Sequence, residues 1–117
     1  MTRGSDDDAL HVELILERIA AIRKSLHAAT EADFQADPDK VELAAFRLAN
    51  IGESVRKLSP ALKDRHPQVA WDAIYKMRNI LVHAYNSINP SIVWASLGSD
   101  LEILEAACRD ELDRLTR

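Results

Sequence analysis

"DPDKVELAAFRLANIGESVRKL", residues 37–58, is the stretch whose reading decides the fold. Asp37 stands directly before Pro38: a side chain that accepts from free helical N–H groups, then a residue whose fixed φ and missing N–H suit the first helical position. Val41, Ala44, Ala45, Leu48, Ile51, Val55 and Leu58 then return at intervals of three and four. That period puts apolar side chains on one face of an α-helix, so an amphipathic helix is predicted over about 38–58.

The same period repeats on both sides. Asp6 to Asp8 offer caps and negative charge to a helix N-terminus, and Val12, Ile15, Ile19, Ile22 and Leu26 predict a helix over roughly 7–29. The polar stretch "TEADFQADP" reads as a connection. Ser59-Pro60 starts a short helix that must stop near His66-Pro67. Another begins around Trp71-Asp72, with Ile74, Met77, Leu81 and Ala84 as its core stripe, and "NSINP" breaks it. Asn89-Pro90 opens a last long helix carrying Val93, Leu97, Leu101, Leu104, Cys108, Leu112 and Leu115, locally weakened at Gly98. Four long helices plus one or two short ones, joined briefly, predict an all-α antiparallel helical bundle, with residues 1–117 as a single domain.

Composition agrees. Of 117 residues, 47% are hydrophobic and only three are glycine, a balance that favours helices over a sandwich of strands. No apolar run reaches membrane-span length, and the acidic start "MTRGSDDDAL" lacks the apolar core of a secretory signal. The single cysteine, Cys108, cannot form an internal disulfide, so a reducing, cytoplasmic setting is expected. A net charge of −4 argues against a strongly basic nucleic-acid module, but the charge is unevenly placed. Residues 56–83 carry +4, against −5 for 1–46 and −3 for 84–117. Arg56, Lys57, Lys63, Arg65 and Lys76 are therefore candidates for holding a polyanion such as RNA, a solvated helix face being the plainer alternative.

The basic segment leads into "RNILVHAY", residues 78–85. Asn79 and His83 are four apart and share a helix face, whereas Arg78 and His83 are five apart and lie about 140° apart around an ideal helix. Singly, each has an ordinary explanation: Arg78 pairs with a carboxylate, Asn79 bonds a backbone group, Tyr85 covers the bundle's end. His11, His27 and His66 are read that way, as surface or hydrogen-bonded histidines. Together the four residues hold a chemistry. An imidazole moves a proton near neutral pH, and a guanidinium matches phosphate oxygens while keeping its charge. Those two groups suffice for attack of a ribose 2′-hydroxyl on the adjacent phosphodiester, leaving 2′,3′-cyclic phosphate and 5′-hydroxyl ends without a metal. Metal chemistry has little support in the spacing, since Glu102, Glu105 and Glu111 have no histidine three residues on and one cysteine with four scattered histidines makes no zinc set.

"RNILVHAY" resembles the R-[polar]-x3-H-x-Y pattern of HepT-like toxins, within the HEPN superfamily of small helical ribonucleases. "NIGES" at 50–54, "HPQVAWDAIYKMRNILVHAY" at 66–85 and "SINPSIVW" at 87–94 are similar to that family as well. The resemblance implies a HEPN-like bundle and an endoribonuclease toxin that needs no cofactor. Arg78 and His83 would be the catalytic pair, with Asn79 orienting the histidine or the phosphate. Tyr85 would be the residue that a minimal nucleotidyltransferase antitoxin modifies with AMP, and Glu53 in "NIGES" a structural support. The family's homodimers place the motifs of two protomers in one cleft, which would let Arg78 of one chain work with His83 of the other. Ala84 departs from a glycine common between the histidine and tyrosine, a change bearing on Tyr85 modification more than on cleavage. A binding module that associates with a nucleotidyltransferase but does not cut remains the alternative.

Overall fold

The structure is a computed structural model; it describes residues 3–83 and 88–116, and of these the side chains of all but 3–6, 82, 83 and 116. Seven helices are found among the described residues, and no strand: α1 (Arg3–Ser25), α2 (Glu31–Gln35), α3 (Pro38–Lys57), α4 (Pro60–Asp64), α5 (Trp71–His83), α6 (Pro90–Ser96) and α7 (Ser99–Thr116). Four are long and three short. None is long and apolar enough to cross a membrane.

Capping chemistry sets most of these boundaries. The Asp37 carboxylate accepts from the N–H groups of Asp39 and Lys40, Ser59 caps α4 through Leu62 N–H, and Asn89 caps α6 through Ser91 N–H, each followed by proline at the first helical position. The Asp8 carboxylate of α1 accepts from Ser59 N–H at 2.8 Å and from its hydroxyl at 2.6 Å, so the α4 cap is tied to α1.

Three elements differ from the sequence expectation. The first helix starts at Arg3 and not near residue 7, so Asp6 to Asp8 lie within its first turns and do not cap it from outside. "TEADFQADP" is not merely a connection: Thr30 and Asp33 form a reciprocal capping box and start α2. This short helix drives Phe34, fully buried, against Trp94 with ring centroids 5.3 Å apart. Because the chain turns at Ala28, which takes φ 62°, α1 ends at Ser25 rather than near residue 29. The last long helix is also divided. It breaks at Leu97 and Gly98 into α6 and α7, where glycine's low helix propensity has its effect.

The core joins α1, α3 and α7. Val12, Ile15, Ile19 and Ile22 of α1 meet Val41, Ala44, Ala45, Leu48, Ile51 and Val55 of α3 and Leu101, Leu104, Ala107 and Cys108 of α7, all buried. Leu97 and Leu112 are half-buried, and Leu115 is exposed. α5 rests chiefly on α3, burying Leu81 and half-burying Ile74 and Met77. Its start is fixed by Trp71, whose indole N–H donates to the carbonyls of Lys63 and His66, each at 3.1 Å. Ala84, expected in the α5 stripe, lies outside the described residues.

Candidate active site

α5 carries Arg78 and Asn79 and ends at His83. It crosses α3 at Gly52, where the helices come unusually close: a Cβ added to Gly52 would stand 2.6 Å from Arg78 Cβ and 3.3 Å from the Ile74 carbonyl oxygen. A side chain there would force the helices apart, so the glycine sets the distance at which Arg78 meets α3.

The next residue of α3 uses that proximity. Glu53 Oε2 lies 3.2 Å from Arg78 Nε, and its Oε1 accepts from Arg56 at 2.6 and 3.2 Å with Lys57 Nζ at 3.9 Å. Asn79 Oδ1 accepts from Arg78 Nη1 at 2.9 Å. Two of the three guanidinium nitrogens are thus held by a charged carboxylate and a neutral amide. Three cations surround one anion, leaving local positive charge in excess. The Arg56 hydrogen bond above all, with the charges of Arg56, Arg78 and Lys57, holds the Glu53 carboxyl below its ordinary range against the opposing effect of burial. The Arg78 side chain stays 30% exposed, within reach of a ligand.

Of the sequence-derived RNA-binding candidates, Arg56 and Lys57 therefore join Arg78 around Glu53. Lys76 is exposed on α5, and Lys63 is half-buried on α4. Arg65 goes elsewhere. It grips Glu111 of α7 with Nη2 at 2.6 Å and Nε at 3.1 Å. Asn79 is hydrogen-bonded to Arg78 through its side-chain oxygen. The His83 side chain and all of Tyr85 lie outside the described residues, so the structure adds no contacts for either.

The Arg65 interaction belongs to a second polar cluster that the sequence reading did not find. Buried His66 places Nε2 2.6 Å from Oε2 of buried Glu111 and 3.6 Å from Asp110, and Arg114 approaches Glu111 at 3.6 Å. Burial pushes the Glu111 carboxyl up, but hydrogen bonds and charge from Arg65 and His66 prevail and lower it. Ligand atoms of His66, Asp110 and Glu111 fall within 4.8 Å of one another, close enough for a cation. The donor set does not favour one, because Arg65 already engages both Glu111 oxygens and Arg114 adds a further positive charge. The cluster pins the α4–α5 connection to α7. Its signal was weak: Arg65-His66 and Asp110-Glu111 are forty-odd residues apart, with nothing local to join them.

An apolar cleft beside α5 does not include Arg78 in its lining. It is lined by Leu48, Ile51, Ile74, Met77, Leu101 and Leu104, holds about 90 Å³, and contains none of the polar group. The candidate site is instead an open surface at the α3–α5 crossing, a form suited to a long, charged ligand rather than a small enclosed one.

The all-α bundle thus gathers a half-buried, doubly held arginine and two further cations at one surface, a local positive charge that attracts anions. The comparison with known proteins makes this specific: residues 15–111 match the model of the HepT-like ribonuclease family, and the chain belongs to that family. Similar proteins include one named "Putative RNase" in Caldanaerobacter subterraneus subsp. tengcongensis, 27% identical over 89% of this chain and 93% of its own length. Another is "Probable ribonuclease HepT" of Thermococcus cleftensis, 29% identical over 81% of this chain and 86% of its own. A third, "Putative RNase" in Methanocaldococcus jannaschii, is 28% identical over 82% of this chain and 83% of its own. No solved structure matches. Family membership makes the chain an enzyme of the ribonuclease class.

Proposed function

We propose that this chain is a metal-independent endoribonuclease toxin that cuts RNA by attack of the ribose 2′-hydroxyl on the adjacent phosphodiester. The observation that carries the reading is Arg78: clamped by Glu53 and Asn79, yet open enough to receive a phosphate oxygen. His83 follows five residues on, about 7.5 Å along the axis at ~1.5 Å per residue. In the proposed reaction the imidazole of His83 takes the 2′-hydroxyl proton as the new P–O bond forms, and a protonated group returns a proton to the departing 5′-oxygen. Arg78 balances the charge gathered on the equatorial phosphate oxygens. The ends left are 2′,3′-cyclic phosphate and 5′-hydroxyl. DNA, lacking the 2′-hydroxyl, is inert.

The 140° between Arg78 and His83 on an ideal helix favours a site shared by two copies. Phe46 of α3 is 64% exposed and Ile80 of α5 is 53% exposed, an apolar pair suited to burial against a second protomer. Neutralisation in this reading is AMP transfer to Tyr85 by a nucleotidyltransferase antitoxin. The added phosphate sets negative charge two residues beyond His83 and repels RNA. Arg56, Lys57, Lys63 and Lys76 hold the polyanion, and Arg65, engaged by Glu111, contributes less.

The test is cleavage of a short labelled RNA in EDTA by protein whose intact mass shows no AMP. Cyclic-phosphate ends that disappear with His83→Ala are expected. Tyr85→Phe is expected to keep cutting while resisting the antitoxin. Undiminished cutting by His83→Ala overturns the mechanism, and no cutting by unmodified protein favours the binding-module reading.

A further inference from the structure

Four observations converge on one side chain. Glu53 gives its two oxygens to different helices, Oε1 to Arg56 and Lys57 of its own α3 and Oε2 to Arg78 of α5. Gly52, immediately before it, allows the approach that makes the α5 contact reachable. Asn79 holds a second edge of the same guanidinium. Glu53 is also only partly buried, at 30% side-chain exposure, so it lies at the surface where a polyanion would come to Arg56, Lys57 and Arg78. A carboxylate so placed has two opposed effects. It fixes the orientation of the arginine that must meet the reacting phosphate. It also subtracts one charge from the three cations available to bind the polymer.

We infer that Glu53 is a positioning residue: it holds Arg78 in register for the scissile phosphate and weakens RNA binding at the Arg56, Lys57 and Arg78 surface in doing so. This rests on the ribonuclease reading above. A guanidinium turned away from its phosphate loses transition-state stabilisation even when substrate binds well, so the effect belongs in kcat. The charge effect belongs in affinity, because RNA binding is dominated by phosphate neutralisation and depends on salt. Orientation and charge are separable. Glu53→Gln keeps an oxygen that can accept from Arg78 Nε but removes the charge, whereas Glu53→Ala removes both.

The experiment compares wild type, Glu53→Gln and Glu53→Ala on one labelled RNA at fixed salt, with Kd measured on a substrate whose cleavage-site 2′-hydroxyl is replaced by 2′-deoxy. Binding is expected to tighten about threefold in both variants. The kcat is expected to fall roughly tenfold or more in Glu53→Ala, with most of it restored in Glu53→Gln. The arginine Nε–H resonance of Arg78 provides a readout independent of activity: its exchange with water is expected to be slow in wild type, faster in Glu53→Gln and fastest in Glu53→Ala. A rapidly exchanging Arg78 Nε–H in wild type, or equal kcat in wild type and Glu53→Ala, overturns the positioning role. Weaker RNA binding in Glu53→Gln overturns the charge effect. If Glu53→Ala does not fold, the Gln variant still decides both through its Nε–H exchange and its Kd. Unmodified wild type that binds but cuts no RNA removes the ribonuclease reading, and the Nε–H exchange then reports the clamp alone.

Discussion

Gly52 and Arg78 touch backbone to side-chain root at the crossing of α3 and α5, with no room for one more carbon: a Cβ at position 52 would sit 2.6 Å from the Cβ of Arg78. The obstacle is not the far end of a flexible side chain. It is an atom fixed to the α5 backbone, with the Ile74 carbonyl oxygen 3.3 Å away on the same helix. The spacing of the two helices, and so the reach of Glu53 to Arg78, depends on a residue with no side chain.

Gly52→Ala tests this directly because two effects oppose each other. Alanine in a helix interior is favoured over glycine by ~1 kcal/mol. Overpacking against fixed atoms costs about 1–3 kcal/mol. The contact falls in the range where something must move, so a net loss of stability of up to ~2 kcal/mol is expected in urea denaturation, together with reduced cleavage as Arg78 shifts from Glu53. A Gly52→Ala protein more stable than wild type and equally active would show that the crossing is loose.

Glu111 gives a pH-dependent prediction. Its folded carboxyl lies below the ordinary value, so the stabilisation it supplies is present above the unfolded value and is lost as pH falls through the folded one. Arg65 is 42% exposed at the side chain, which screens its share of the pairing, while Glu111 at 3% and His66 at 6% are buried. Glu111→Gln is therefore expected to cost about 1–3 kcal/mol near pH 7. The gap from wild type should narrow as the pH falls below the ordinary carboxylate value and the unfolded chain takes up its proton, and close only below the lower folded value, where both states are protonated. Urea titrations of both proteins from neutral pH to pH 3 would measure it, and a gap that does not change over that span would assign the loss to packing instead of charge.

How much of this was legible in the sequence depended on whether the signal was local. Asp37-Pro38, Ser59-Pro60 and Asn89-Pro90 marked helix starts because a cap and its first turn are adjacent in the chain. The α3 stripe from Val41 to Leu58 was read correctly at every position, since all seven residues are buried. The capping box at Thr30 and Asp33 was local too, but its polar composition resembled a loop, and only the burial of Phe34 reveals its purpose. At the site, Arg78 and Asn79 could be singled out by residue type, and Glu53 only through family resemblance. That Glu53 gathers Arg56, Lys57 and Arg78 was visible in its first half, as i,i+3 and i,i+4 spacings on α3. The Arg78 half required knowing which turn of α5 lies over which turn of α3, and Gly52, which lets the two helices approach there, carries no local sign of that role.

The exposed apolar residues of the two helices that build the site lead to the last prediction. Phe46 is 64% exposed, Ile80 53% and Leu43 40%. Side chains of this size each gain about 1.5–3 kcal/mol when fully buried, and aromatic anchors of that kind often dominate an interface. In the proposed dimer they are covered, and Arg78 and His83 of different protomers meet in the cleft. Replacing Phe46 and Ile80 together by glutamate leaves the core of α1, α3 and α7 untouched, because neither belongs to it. Sedimentation is expected to show a wild-type dimer and a variant monomer with the same helical circular dichroism. Cleavage should fall with the dimer fraction and recover in part as variant concentration rises. A variant that is monomeric yet cuts at the wild-type rate would place the whole reaction within one chain. Arg78 would then have to meet its phosphate across the 140° that separates it from His83 on an ideal helix, by a bend or unwinding of α5.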